Sequence, residues 1–291
     1  MLGLLAVLWG VSYNLAKVAV QTIPPVTTTA LRTAIASVIL IALLRRSRIA
    51  LFRADYPWRL LCTQAAMINI VPWTLSAWAA QTIDSGLVAI LNSTSPIFAF
   101  FITWAITHHE PATAGKLAGA LAGLAGVALI VGVGAFAGAD RHLAQQLACV
   151  FGAALFGLAA VHGRRFDALP ALVPATLTLV IGTAVLVPLS LFVDRPWTLT
   201  PSRASAAALL GLGVFSTAAA LFLYYRILAT MGSIAAASQS YLRIVVGVVA
   251  GILFLGESLT PERFLGMLLI LAGVVAMTHR PHASRPLDGR R

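Results

Sequence analysis

The chain has 291 residues, 59% of them apolar and only 10% charged, whereas a soluble domain carries about 25% charged residues. That inventory excludes an ordinary water-exposed surface. A net charge of +11 would suggest nucleic acid in a soluble protein, but here it is expected in membrane-flanking loops and a tail, so no nucleic-acid partner is expected. Each crossing takes about 20 apolar residues, so ten would use about 200 and leave too few beyond loops and termini for a soluble domain.

Apolar runs between turn signals predict helices over 2–21, 26–44, 58–80, 86–107, 113–135, 144–162, 170–193, 204–228, 232–254 and 261–278. The first lacks a basic leader and reads as a span rather than a signal peptide. The separators are turn-forming or charged: Pro24-Pro25, the stretch from Arg45-Arg46 to Asp55-Tyr56-Pro57, Asp84-Ser85-Gly86, His109-Glu110-Pro111, Gly138 to Arg141, Arg164-Arg165, Asp194-Arg195-Pro196, Gly232 and Gly256-Glu257. From Arg280 the chain is polar, and residues 280–291 are expected to be a disordered cytoplasmic tail. Cys62 and Cys149 each lie in an apolar stretch, which argues against a disulfide framework or a Cys-based metal site.

Positive charge sets the orientation. With a cytoplasmic N-terminus, Arg45, Arg46, Arg48, Arg53, Arg59, Lys116, Arg164, Arg165, Arg226 and the four arginines of the tail fall inside. Only Arg141, Arg195, Arg203 and Arg263 fall outside, which predicts both termini in the cytoplasm of a multi-pass plasma (inner) membrane protein.

Sliding the sequence against itself aligns EPATAGKLAGALAGLAGV with ESLTPERFLGMLLILAGV at an offset of 147 residues, pairing Glu110 with Glu257, Gly119 with Gly266, and Gly126 with Gly273. The expected architecture is therefore an all-α membrane protein of ten transmembrane helices in two five-helix repeats, 1–137 and 143–279. Five spans per repeat force the second copy to enter the membrane inverted. Such pseudo-symmetry lets one central site open alternately to either side.

In their order and spacing these residues resemble the EamA-type transporters of the drug/metabolite transporter superfamily. Trp9-Gly10 with Lys17, Pro24-Pro25 before Arg32, Asp84-Ser85-Gly86-Leu87, Ser95-Pro96-Ile97-Phe98, Gly256-Glu257 and the late Gly-Val pairs carry the likeness. It implies two inverted five-helix repeats and transport of small metabolites, frequently export of amino acids or related compounds. One departure is that the proline usual near Arg243-Ile244 is absent.

The candidate site residues lie at membrane depth. Pro96 lacks the N–H that would pair with the carbonyl of Asn92, and Asn92-Ser93-Thr94-Ser95 precedes it. Two readings stand: a kink satisfied by neighbouring helices, or a broken helix facing cargo. Asn92 and Ser93 map onto Gln239 and Ser240 at the same offset, followed by Tyr241. Arg243 is too central to snorkel and either bonds helix carbonyls or binds an anionic group of the cargo. Arg32 and Lys17 are lesser candidates, within snorkelling reach of the outer face. Trp78 and its offset partner Tyr225 are candidates for an apolar wall. Glu110 and Glu257 are expected to fix helix ends.

No Asp or Glu lies mid-span, so the expected cargo is zwitterionic or anionic rather than a cation exchanged for protons. The glycines at 115, 119 and 123 predict close helix packing, within the monomer in preference to a dimer seam, so a monomer or a homodimer is expected. Adjacent residues of a helix point apart, so His108-His109-Glu110 is not expected to bind metal. No cofactor and no enzymatic activity are expected. The sequence-level reading is a small-molecule transporter, with an uptake permease or multidrug exporter of the same fold as the alternative; an intramembrane enzyme or passive channel fits less well.

Overall fold

The computed structural model describes residues 1–107, 113–136, 142–166 and 168–278. Among these, every regular element is helical. In chain order they are α1 (Leu2–Ala19), α2 (Pro25–Arg46), α3 (Trp58–Ala80), α4 (Ser85–Ala105), α5 (Ala114–Phe136), α6 (Leu143–Gly163), α7 (Leu172–Val193), α8 (Arg203–Ile227), α9 (Leu242–Leu255) and α10 (Pro261–Thr278). The first eight include helices long and apolar enough to cross a membrane, and α9 is a shorter apolar helix. The expectation of ten spans is thus met by eight among the described residues.

Local chemistry sets several boundaries. Pro25 opens α2, where its missing N–H costs nothing. Ser202 caps α8 by accepting from Ser205 N at 3.1 Å. Gly256 ends α9 at φ 66°, a left-handed conformation that glycine adopts without strain.

The separator expected at Gly232 is not a break in helical backbone, since Ala220–Leu255 is helical along its length. It does reverse direction. Ser205 Oγ donates to Val18 O at 2.8 Å and Tyr224 packs on Trp9, so α8 runs antiparallel to α1. Beyond the turn, Arg243 and Val246 meet Gly10 and Gly247 meets Asn14, so α9 runs parallel to it.

Helices in lipid gain little from hiding apolar surface from one another, so close backbone approach through small residues carries much of the packing. Gly126 faces the carbonyl of Gly266 on α10, and Gly273 faces the carbonyl of Gly119 on α5. The glycines at 119 and 123 thus pack inside the monomer, while Gly115 faces open space. Gly10 of α1 abuts Arg243 and Val246, and Gly157 of α6, 147 residues later, abuts Ser95 and Ala99. The π-helical turns Ala66–Ile70 in α3 and Val214–Ala219 in α8 also fall at nearly matching places under that offset. Helices α2 and α7 are joined by Thr27 Oγ1 with Ser190 Oγ at 2.8 Å, and by Asp194 accepting from Thr27 N at 2.7 Å.

Two apolar cores result. One surrounds Leu40, Leu61, Leu177 and Leu221; the other surrounds Ile90, Leu91, Ile97, Ile130 and Ile270. Phe192, Leu253 and Phe254 are 83%, 71% and 81% exposed, as lipid-facing side chains would be.

Candidate functional site

Helix α4 is broken where the sequence places its proline. The first segment ends at Asn92 and the second begins at Ser95. Between them the hydroxyls turn back on their own helix: Ser93 Oγ donates to Ala89 O at 2.7 Å and Thr94 Oγ1 to Leu91 O at 2.6 Å. Asn92, Ser93 and Thr94 are fully buried. In the membrane interior a freed carbonyl needs a partner, and Arg243 supplies it.

Arg243 Nη2 donates to Asn92 O at 3.3 Å, taking the place of the N–H that Pro96 lacks. Its Nε and Nη2 also reach Ser93 Oγ, at 3.3 and 3.2 Å. The guanidinium is 6% exposed and has no carboxylate partner among the described residues. Gln239, one helical turn earlier, is likewise buried. Asn92 Nδ2 donates to Ser76 Oγ at 3.2 Å, which ties the break to α3.

A second buried guanidinium stands nearby. Arg32 is 7% exposed rather than snorkelled to the surface. Its Nε donates to Thr217 Oγ1 at 3.0 Å, in the π-helical turn of α8, and its Cζ lies 3.9 Å from the centroid of the Trp73 ring. An Arg held over an indole face is a favourable cation–π arrangement. Trp73 and Ser76 are one turn apart on α3, so that helix contacts Arg32 directly and, through Asn92, the broken helix that holds Arg243. Tyr13 lies within electrostatic reach of both.

Glu257 occupies a separate junction. Its carboxylate accepts from Ser85 N at 2.6 Å, Ser85 Oγ at 2.7 Å and Gly86 N at 2.9 Å, capping the N-terminus of α4. Anions are favoured there by the helix dipole and the unpaired N–H groups. Asn14 Nδ2 adds a bond to Ser85 Oγ at 2.8 Å, and Arg263 forms an ion pair with Asp84. Lys17 Nζ donates to Ile83 O at 2.8 Å. Lys17 therefore ties α1 to the turn between α3 and α4 rather than joining the buried guanidinium groups.

Of the remaining sequence-derived candidates, Tyr225 is buried beside Gln64 and Thr178 and packs edge-on against Tyr224 at 5.3 Å. Its offset partner Trp78 is 37% exposed and makes no ring or cation contact with Arg32 or Arg243. The side chains of Ser240 and Tyr241, and the whole of Glu110 and the adjacent histidines, lie outside the described residues. Three side chains beside these groups escape sequence reading. Thr217 and Ser76 look like ordinary helical hydroxyls until their partners are known. Asn69, fully buried in the π-helical turn of α3 with neither amide atom bonded, could have been flagged as an amide in a central apolar span.

This chain is similar over nearly its full length to several curated proteins. The uncharacterized transporter YwfM of Bacillus subtilis (strain 168) is 25% identical over 284 residues, 97% of this chain and 94% of its own. The uncharacterized inner membrane transporter YedA of Escherichia coli (strain K12) is 23% identical over 283 residues, 94% of this chain and 88% of its own. A solved structure, described only as the crystal structure of a protein, superposes with a TM-score of 0.67 at 20% identity, covering 95% of this chain and 96% of its own; it shows likeness of fold alone. The model of the EamA-like transporter family matches twice, over residues 1–132 and 144–278. The chain belongs to the EamA-like transporter family, and the eight helices among the described residues that are long and apolar enough to cross a membrane fit a multi-pass membrane protein.

Proposed function

We propose that this protein is a secondary transporter of small metabolites bearing an anionic group, amino acids or related zwitterionic or anionic compounds, and that it works as an exporter by alternating access. The observation that carries this reading is Arg243: a guanidinium buried at membrane depth and held, among the described residues, by the neutral Ser93 Oγ and Asn92 O of a broken helix. Leaving such a charge without a countercharge costs at least about 2.5–3.5 kcal/mol on insertion scales. A carboxylate arriving as cargo offsets that cost, and the fork of the guanidinium matches its two oxygens. Nη1 makes no protein hydrogen bond among the described residues.

The rocking elements in this reading are two inverted five-helix repeats, 1–137 and 143–279, with both termini cytoplasmic. The reciprocal glycine contacts of α5 with α10, the matching π-helical turns and the equivalent Gly10 and Gly157 contacts support that arrangement. Among the described residues no Asp or Glu is buried, which supports anionic over cationic cargo.

The test is ligand binding by detergent-purified protein. A thermal-shift screen of amino acids, organic acids and organic cations is expected to show stabilisation by carboxylates. That stabilisation should disappear in Arg243→Ala with its elution profile unchanged. Stabilisation by organic cations, indifferent to Arg243, would overturn the assignment of cargo and anchor.

A further inference from the structure

We infer that the cargo carries two separated anionic groups, one for each buried guanidinium, and belongs to the small dicarboxylates. This rests on the transporter reading above and narrows its substrate class. Arg32 and Arg243 are 7% and 6% exposed, on different helices, and neither has a carboxylate partner among the described residues. Two uncompensated cations in one low-dielectric interior repel each other as well as losing their hydration. An α-amino acid brings no net charge and leaves that imbalance standing. A dicarboxylate cancels it.

The donors are arranged for this. Arg32 is fixed at one edge by Nε on Thr217 Oγ1 and on one face by Trp73, so both terminal nitrogens remain without a protein partner among the described residues. A guanidinium held by its Nε and its face presents its fork ready-made to an oxyanion. Arg243 is held through Nε and Nη2, and Nη1 is left. Arg32 lies seven residues from Pro25, and Arg243 twelve from Leu255, at ends belonging to the same face of the bundle. At 1.5 Å per residue these are backbone depths of about 10 Å and about 18 Å, and the guanidinium groups themselves are anchored on different partners, one at Trp73 and Thr217, the other at Asn92 and Ser93. Separate anchoring favours two anionic groups on a short chain over both charges on a single phosphate. Helix α3 sets Trp73 against Arg32 and Ser76 against Asn92, and one turn beyond Trp73 the buried amide of Asn69 has neither atom bonded.

The experiment uses the full chain in detergent and reads affinity by calorimetry. The probes are straight-chain diacids from succinate to adipate, their monomethyl esters, leucine and inorganic phosphate. Each ester keeps the diacid's shape and removes one charge. We expect an optimum chain length, with the best diacid binding at least about tenfold tighter than its ester, the worth of one charge-assisted contact. Arg32→Gln should erase that difference and leave the ester's own affinity unchanged, whereas Arg243→Gln should weaken both.

An ester or leucine that binds as tightly as every diacid, still dependent on Arg243, would overturn the two-anion assignment and keep the transporter reading. So would phosphate binding tighter than every diacid. Failure of every carboxylate to bind the folded wild type would overturn both. The comparison of diacid with ester needs only the wild type, so the test stands if Arg32→Gln does not fold.

Discussion

A proline removes one donor from the membrane interior, and an arginine from another helix supplies it. The exchange of Pro96 N–H for Arg243 Nη2 at Asn92 O joins α4 to α9, and in the proposed function it is a contact that cargo competes for, because the guanidinium serves the helix break and presents a charge at once. Glu257 is a contrasting case: its oxygens already accept three hydrogen bonds from Ser85 and Gly86. Glu257→Gln would replace one acceptor oxygen by a donor facing an N–H group. We expect a loss of about 1–2 kcal/mol, visible as a lower Tm, with carboxylate affinity unchanged. A variant that binds cargo more weakly at unchanged Tm would instead place Glu257 in the binding site. The sequence showed Arg243 as too deep to snorkel but left Arg32 ambiguous. Position along a helix gives depth, but facing is unreadable where the pattern is apolar all round, and Arg32 turns inward to Trp73.

The N-terminus of α4 depends on how α9 ends. After Gly256 turns left-handed, Glu257 folds back over Gly251, where any Cβ would collide with its carboxylate. Gly251→Ala should therefore displace the cap and destabilise about as much as Glu257→Gln. The double variant should cost clearly less than the sum of the two, because both remove the same contact; additivity in denaturation measurements would show that they act separately. Helix existence was largely legible from apolar runs and breakers, and so was the rupture of α4 at Pro96. The junction of α8 with α9 was not: Gly232 signals a break, yet helical backbone continues while the direction reverses, and that reversal is visible only in contacts with α1. The π-helical turns were equally illegible, since they insert a residue without changing composition.

The proposed mechanism organises the bundle as a whole around exchangeable halves. If both ends of the chain face the cytoplasm, a C-terminal green fluorescent protein fusion should fluoresce, and alkaline phosphatase fused after Thr198 should be active. The reverse pattern would invert the orientation drawn from the distribution of Arg and Lys. The 147-residue offset was readable because Glu, Thr and Gly recur at it, whereas the partners those residues choose could not be read from a linear pattern. The crossing of α5 with α10 shows what that choice entails. Gly126 rests on Gly266 while Gly273 rests on Gly119, so each half supplies both the bare backbone and the surface laid against it. A side chain gained at Gly126, Gly266 or Gly273 is met by backbone or side chain of the other helix. If the two halves began as duplicates, they are therefore not free to drift apart along this seam, and their divergence is confined to the faces where they do not touch.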